Sequence, residues 1–460
     1  MESIKVLSPT AILGYGFPEE SFFEGMKRNP DVIAVDAGST DPGPYYLGSG
    51  KSFTDRNSVK RDLEYMLGAS VSNKIPLIIG TAGGSGADSH LDWNVEIIKE
   101  IAQEKNLDFK IAIISAEISK NVVKEKLAND KIILLNGTSP LTIDEIDNAT
   151  RIVGQMGTEP FIKALELGAD VIIAGRTYDP VVFACLAIKK GFPEGLALHM
   201  GKILECATIA AMPGSGSDCM LGTLYKDKFV LEPLAQNRKC TELSVAAHTL
   251  YEKSNPYILP GPGGSLDLTE TEFKQESDKA TAVFGTKFVK SETYTIKLEG
   301  AKKVGHRTVS FAATNDPIMI SQIDDIISQV KERVENNFKK FGIENFFLDF
   351  KIYGKNGTMG IFQNIENDVS HELGIIIEAV SDTSEQSATI CSFARSTLLH
   401  FGYDGRKSTA GNLAFPFSPS DFNAGEVFVF NIYHLIEVET DEMNEYFPVK
   451  IYDCVKGEFK

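Results

Sequence analysis

The sequence predicts an α/β protein, with an N-terminal doubly wound, mostly parallel sheet and a C-terminal α+β sandwich domain. Three observations carry that prediction. As far as about residue 190, short runs rich in Val and Ile alternate with amphipathic stretches, the pattern of helices crossing over between parallel strands. Those runs are apolar almost throughout, as strands covered on both faces are. After Gly222 the rhythm changes to strands in adjacent pairs with single helices between them, which is α+β organisation.

The expected parallel strands, in order, are IKVLS, DVIAVDAG, PLIIGTAG, FKIAIISAE, KIILLNG and DVIIAGRT. Between them SFFEGMKR, SVKRDLEYMLGA, WNVEIIKEIAQEK, KNVVKEKLAN and EPFIKALELGA have helical periodicity. PVVFACLAIKKG and GLALHMGKILECATIAAM extend the helical reading to the turn signal PGSGSD. Beyond it, SETYTIKLEG and HRTVSFAATND read as two strands, followed by the helix DPIMISQIDDIISQVKERVENNFKKF. The strands NFFLDFKIYG and HELGIIIEAVSD, the helix SEQSATICSFARSTLLH and the strand GEVFVFNIYHLIEV complete the pattern. The domains are therefore expected at 1–220 and 221–460.

A formal charge of −17 and the absence of any Lys/Arg run argue against nucleic acid and anionic membrane surfaces as partners. The N-terminus lacks a basic, apolar leader and no stretch reaches the length of a membrane span, so a cytoplasmic protein is expected. The six cysteines never fall as C-x-x-C, which offers neither a zinc ribbon nor a disulfide framework.

In open parallel sheets the ligand crevice lies beyond the C-terminal strand ends, so the polar residues there are the candidates. They are Asp36, Ser39 and Thr40 after the second strand, Gly80, Thr81, Gly83, Gly84, Ser85 and Gly86 after the third, Glu117 after the fourth, and Arg176 and Asp179 after the sixth. Carboxylates converging with an arginine can bind and protonate a carboxylate or carbonyl substrate. The competing reading is that these residues cap helices. GTAGGSG has neither the lysine nor the glycine spacing of a nucleotide loop, and reads instead as an oxyanion cradle or, alternatively, a tight-packing turn. His90 and Asp88 are a candidate pair for a divalent metal, without a recognised motif. On GLALHMGKILECA, Lys202 lies on one face with His199 and Cys206, with Glu205 one step around; polar groups on an apolar stripe need partners or work. In LLHFGYDGRKSTAGNLAFPFSPSD, Arg406 and Lys407 are candidates for holding an acidic group of a substrate such as a CoA thioester, or alternatively a solvated surface pair, and Asn412 is a further substrate-binding candidate.

VDAGSTDPGPYYLGSG, PLIIGTAGGSGADSHLDW, HMGKILECATIAAMPGS, VAAHTLYEKSNPY, RKSTAGNLAFPFSPSD and FNIYHL together resemble the acyclic terpene utilisation family, the AtuA-like proteins. The resemblance implies catabolism of acyclic terpenes, branched organic acids or their acyl-CoA thioesters, and it assigns no catalytic residues. Longer members carry a further C-terminal ferredoxin-like domain; this chain resembles the shorter kind, which implies a small ferredoxin-like partner subunit. The leading expectation is a lyase or hydratase without a redox cofactor, since no flavin, nicotinamide or haem fingerprint is found. In it Asp36 or Glu117 moves a proton, with Lys202 and Glu205 as further catalytic candidates, while Arg176 holds a carboxylate or enolate. A non-catalytic large subunit and a nucleotide-dependent ligase component are the alternatives. A homo-oligomer is expected on general grounds.

Overall fold

The computed structural model describes residues 2–253, 255–363, 370–439 and 442–460. Its contacts form two compact units, Met1–Lys302 with Phe430–Lys460, and Lys303–Val429. In unit 1 the strands β1 (Ile4–Ser8), β2 (Val32–Asp36), β3 (Leu77–Gly80) and β4 (Asp108–Ile114) form where the apolar runs predict them. KIILLNG does not join them. It makes only β5 (Ile132–Leu134), and a strand not foreseen, β6 (Arg151–Gly154), precedes β7 (Val171–Ala174).

The parallel centre of the large sheet runs β1-β2-β3-β7-β4. Alternate residues along each strand point to opposite faces, and each face has its own core. Ile4, Val6, Val32, Ala34, Ile78, Ile172 and Ala174 belong to one cluster. Leu7, Ile33, Val35, Leu77, Ile79, Val171 and Ile173 belong to the other, against the helices Arg56–Asn73 and Asp88–Lys105. Two buried faces are what near-continuous apolar strands require.

The strands β8 (Met220–Leu224), β9 (Lys228–Pro233), β10 (Ile258–Gly261), β11 (Gly264–Asp267), β12 (Glu272–Gln275), β13 (Thr281–Phe284) and β14 (Lys287–Lys290) follow. Of these, β12-β13-β9-β8 extend the large sheet antiparallel from β1, and β10-β11-β14 form a small sheet. The compact units thus divide after Lys302 and not near residue 221, because β8 pairs with β1 along its full length, from Ile4 opposite Leu224 to Ser8 opposite Met220. Lys302 lies within β15 (Thr295–Thr314), one continuous strand where two were expected. Its first part pairs with β6, Leu298 opposite Gly154.

Unit 2 contains β16 (Phe347–Tyr353) and β17 (Leu373–Ser381), the latter antiparallel to the His306–Thr314 part of β15. Ile326, Val330, Val334 and Phe338 of the helix Ile323–Lys339 join Ile390, Ala394 and Leu398 of Ser384–Leu399 on this sheet, giving the α+β character expected of the second half. The chain re-enters unit 1 within β18 (Asp421–Glu437), whose end pairs with β5, and closes with β19 (Val449–Val455) and β20 (Glu458–Phe459). β19 is antiparallel to β4 and extends the large sheet on that side. Among the described residues no helix is long and apolar enough to cross a membrane.

Candidate functional site

Because β7 inserts between β3 and β4, the turn after β7 is locked against the glycine loop after β3. Arg176 N–H donates to the Gly86 carbonyl at 3.0 Å, and Thr81 N–H donates to the Gly175 carbonyl at 3.0 Å. That turn presents Arg176, Tyr178 and Asp179 to a cavity of about 500 Å³ within unit 1. Asp41 follows β2, Lys202 and Glu205 end the helix Glu194–Leu204, and Glu252 and Lys253 follow the helix Glu242–Thr249. With Lys297 of β15 and Tyr433 of β18 they complete the charged lining.

Arg176 is 3% exposed and its fork is held on two sides. Nε donates to Glu299 Oε2 at 2.7 Å, and Nη1 donates to Asp179 Oδ1 at 2.8 Å and to the Thr177 carbonyl at 2.7 Å. Lys297 Nζ pairs with the other Glu299 oxygen at 2.7 Å. Burial alone would raise the Glu299 carboxyl, but Arg176 and Lys297 outweigh it and hold it at about 2. A buried carboxylate between two cations stays ionised. Lys202 is paired with Glu205 one helical turn on; burial works against its charge, and Glu205 holds the ammonium above the ordinary lysine range.

The carboxyls nearby behave oppositely. Burial pushes the Glu205 carboxyl up to about 7, against the pull of Lys202 and with help from Asp179. Asp36, 6% exposed at the end of β2, is raised well above the carboxylate range by burial and by Asp179. Burial also raises the Tyr178 phenol. Among the described residues, Asp36 Oδ1, Glu205 Oε2 and the Tyr178 hydroxyl are buried without a hydrogen-bond partner. Buried polar atoms are normally satisfied, and two of these, Glu205 Oε2 and the Tyr178 hydroxyl, belong to residues of the cavity lining, where a ligand can supply the missing bonds.

Lys253 completes the group. Its backbone N–H is tied to the Leu250 carbonyl at 3.2 Å, yet among the described residues its ammonium has no ion pair, whereas Arg176 has two and Lys202 and Lys297 one each. Burial and then the Lys202 charge push its pKa down. A second cavity of about 450 Å³ shares Tyr178 and Pro262 with the first and is lined by Glu159, Glu194, Glu292, Glu437 and Glu439.

The cavity lining therefore gathers Arg176, Asp179, Lys202 and Glu205, four residues expected at the site, while Asp36 is not part of the lining and acts on it only electrostatically, through Asp179, Arg176 and Glu205. Others fall elsewhere. Glu117 is not part of the cavity lining; its Oε2 accepts the Asp88 N–H at 3.0 Å, so it caps the helix Asp88–Lys105. Ser39 bonds Asp41 at 2.9 Å inside the turn after β2, and Thr40 accepts the Gly43 N–H at 3.0 Å there; Asp41 alone of this turn reaches the cavity.

The glycine loop is not an open cradle. Gly80, Thr81, Gly83, Gly84, Ser85 and Gly86 are all buried. A Cβ at Gly80 would lie 2.5 Å from Val182 Cγ1, at Gly83 2.6 Å from His90 Cβ, and at Gly84 2.6 Å from Phe53; at Gly86 it would overlap the Arg176 backbone. The space an anion would need is filled by protein, and the packing alternative accounts for these glycines. His90 Nε2 faces the Tyr46 and Lys51 carbonyls, both at 3.1 Å, so that nitrogen carries the proton, and burial holds the ring neutral with a pKa of about 4. Asp88 Oδ1 accepts from Ser115 at 2.5 Å. Among the described residues no group of three or more His, Cys, Asp and Glu could hold a metal, and the His90–Asp88 pair is engaged in packing.

Arg406 and Asn412 belong to unit 2 and staple their own loop. Arg406 donates to the His400 and Ala410 carbonyls, and Asn412 to those of Leu398 and Phe401. The residues that sequence reasoning missed are Lys253, Lys297, Glu299 and Tyr433. A usable signal existed for two of them: in TIKLEG, Lys297 and Glu299 share one strand face beside Ile296 and Leu298 on the other.

No curated protein and no solved structure matches the chain. Residues 52–213, which carry the glycine loop, Arg176, Asp179, Lys202 and Glu205, match the model of the family described as "Acyclic terpene utilisation family protein AtuA", and the chain is similar to that family over this span.

Proposed function

We propose that the chain is an acid–base lyase or hydratase of branched organic acids or their acyl-CoA thioesters, working in the cavity of Arg176, Lys202 and Glu205. The single observation that carries this reading is Glu205: a buried carboxyl with a pKa of about 7 and an unpartnered Oε2 in a cavity lined by charged side chains of both signs. A group poised near the working pH can take and return a proton in one turnover.

In the dehydrating direction the Glu205 carboxylate removes the proton α to a substrate carbonyl. The electron pair moves to the carbonyl oxygen, where the Tyr178 O–H donates a hydrogen bond. The electron pair then returns to form the C=C bond, and the β-hydroxyl leaves as water with the proton that Glu205 has taken. Arg176, whose Nη2 carries none of its ion pairs, orients the substrate carboxylate or thioester oxygen. The acidic neighbouring cavity repels anions, which directs the charged end of the substrate to the Arg176 side.

The test is exchange of the α-hydrogen in D₂O, followed by NMR over a panel of branched hydroxy acids and acyl-CoA thioesters. Glu205→Gln is expected to slow exchange and turnover by about 10²–10⁴-fold. The wild-type rate should rise with pH through about 7 as the carboxylate form appears. Exchange by Glu205→Gln at the wild-type rate sinks the assignment.

A further inference from the structure

We propose that Lys253 is an imine-forming amine, and that the substrate presents a ketone or aldehyde carbonyl to it. The inference deepens the acid–base reading of the same cavity and rests on it for the proton transfers.

Four cationic side chains line the cavity, and charge pairing separates them. Arg176 is neutralised by Glu299 and Asp179, Lys297 by Glu299, and Lys202 by Glu205. Lys253 alone, among the described residues, reaches the cavity without an ion pair or hydrogen bond to its side chain. A cation meant only to balance charge would sit against one of the four lining acids; among the described residues this one pairs with none of them. Its position is fixed from behind. The Leu250–Lys253 turn is closed by the Lys253 N–H bond, and Tyr251 in that turn stacks on His248 of the preceding helix with centroids 5.2 Å apart.

Two neighbouring ammonium groups, Lys202 and Lys297, and the surrounding burial all disfavour charge on Lys253, so its neutral form is populated nearer to neutrality than that of a surface lysine. Glu252, Glu205 and Asp179 also face this space; the last two act on Lys253 in the opposite sense, and the net direction is down. A deprotonated, desolvated amine is the nucleophile that carbonyl chemistry needs.

The step balances with groups already present. The Lys253 nitrogen pair forms a C–N bond to the carbonyl carbon while the C=O π pair moves to oxygen, beside the Tyr178 hydroxyl. The amine, the carbonyl and one proton from the Glu205 carboxyl yield a protonated imine and one water. The iminium then draws electrons from the adjacent carbon, so that the Glu205 carboxylate can remove its proton or a neighbouring C–C bond can break to an enamine. Hydrolysis by water returns the free amine and the carbonyl product. The substrate class is accordingly a keto acid or keto thioester, a narrower set than branched acids at large.

The experiment is trace labelling of the full-length protein with formaldehyde and cyanoborohydride at pH 7, read lysine by lysine by peptide mass spectrometry. Formaldehyde is the smallest carbonyl and needs no knowledge of the substrate. Lys253 should label several-fold faster than the exposed lysines Lys27 and Lys274, the direction its lowered pKa gives. Pyruvate and acetoacetate with borohydride should then give an adduct at Lys253, and Lys253→Arg should abolish it while keeping the charge. Labelling of Lys253 at or below the rate of the exposed lysines overturns the proposal, as does full turnover by Lys253→Arg. The Glu205→Gln protein separates the two readings. Fast labelling of Lys253 together with undiminished α-exchange in that variant removes the Glu205 assignment and leaves the imine, whereas slow labelling with lost exchange removes only the imine.

Discussion

Replacing Glu299 by Gln would leave the Arg176 guanidinium and the Lys297 ammonium facing each other with their shared counter-charge gone. Glu299 is fully buried, and breaking a buried ion pair from one side costs about 3–5 kcal/mol because the remaining charge is stranded. Glu299→Gln should lower the stability read from the urea midpoint by about that amount; a loss under about 1 kcal/mol would show that solvent reaches both cations. The pairing also marks where residue-scale reading of the sequence stops. Asp36, Arg176 and Asp179 were legible because each directly follows an apolar run, and Lys202 with Glu205 because helical spacing brings them together. Arg176 and Glu299 lie 123 positions apart, and Lys253 sits in a turn after a short helix. No periodicity connects such residues, so only the folded chain shows that they share one cavity.

At the scale of elements, strand–glycine turn–helix was legible in PLIIGTAGGSGADSHLDWN, while the purpose of its glycines was not. A glycine where backbones meet and a glycine that admits an anion leave the same letter. Here Gly86, at φ +71°, touches the Arg176 backbone. Gly86→Ala adds left-handed strain of about 1–2 kcal/mol to overpacking of about 1–3 kcal/mol, and it should also displace Arg176 and so lower activity. Glu117→Gln is the matching control. It weakens the N-terminus of Asp88–Lys105 by about 1 kcal/mol or less and should leave turnover unchanged, because the carboxylate meets a helix N–H and not the cavity. Thermal unfolding and initial rates of the two variants decide the matter; a Glu117→Gln protein that is stable but inactive would return Glu117 to the site.

For the whole molecule, the α/β and α+β classes were legible and the division of the chain was not. A change of rhythm at Gly222 is visible, but antiparallel strands that extend a parallel sheet look like the start of a new domain until β8 is seen beside β1. The same unit 1 that absorbs those strands also holds the groups that set its response to acid. Burial depresses His199 to about 3 and His90 and His248 to about 4. From pH 6.5 downward the unfolded chain binds protons at these positions that the folded chain refuses, so stability falls as pH falls. Asp36 and Glu205, with Asp62, Glu117 and Glu194, are raised by burial. They act in the opposite sense, since above about pH 4.5 the folded state keeps protons that the unfolded chain releases. The two sets oppose each other from pH 7 to about 4.5. Below that window the raised carboxyls are protonated in both states and their offset is gone, while His199 continues to pH 3 and Glu299 to about pH 2. Each group contributes about 1.4 kcal/mol per pH unit. Trp93, the single tryptophan, lies in the helix Asp88–Lys105 and packs against the unit 1 core, so its fluorescence during urea unfolding reads this unit directly. The free energy it reports should fall between pH 6.5 and 4.5 less steeply than the three histidines alone would make it, and drop by about 3 kcal/mol per pH unit between 4 and 3, where His199 and Glu299 act together. His199→Gln, which can still meet Thr249 and Thr286, should take about 1.4 kcal/mol per pH unit out of that slope. A decline of about 4 kcal/mol per pH unit from pH 6.5 to 4.5, the full sum of the three histidines, would mean that the raised carboxyls are not holding their protons, and with them the basis for Glu205 as the acid–base group would fail.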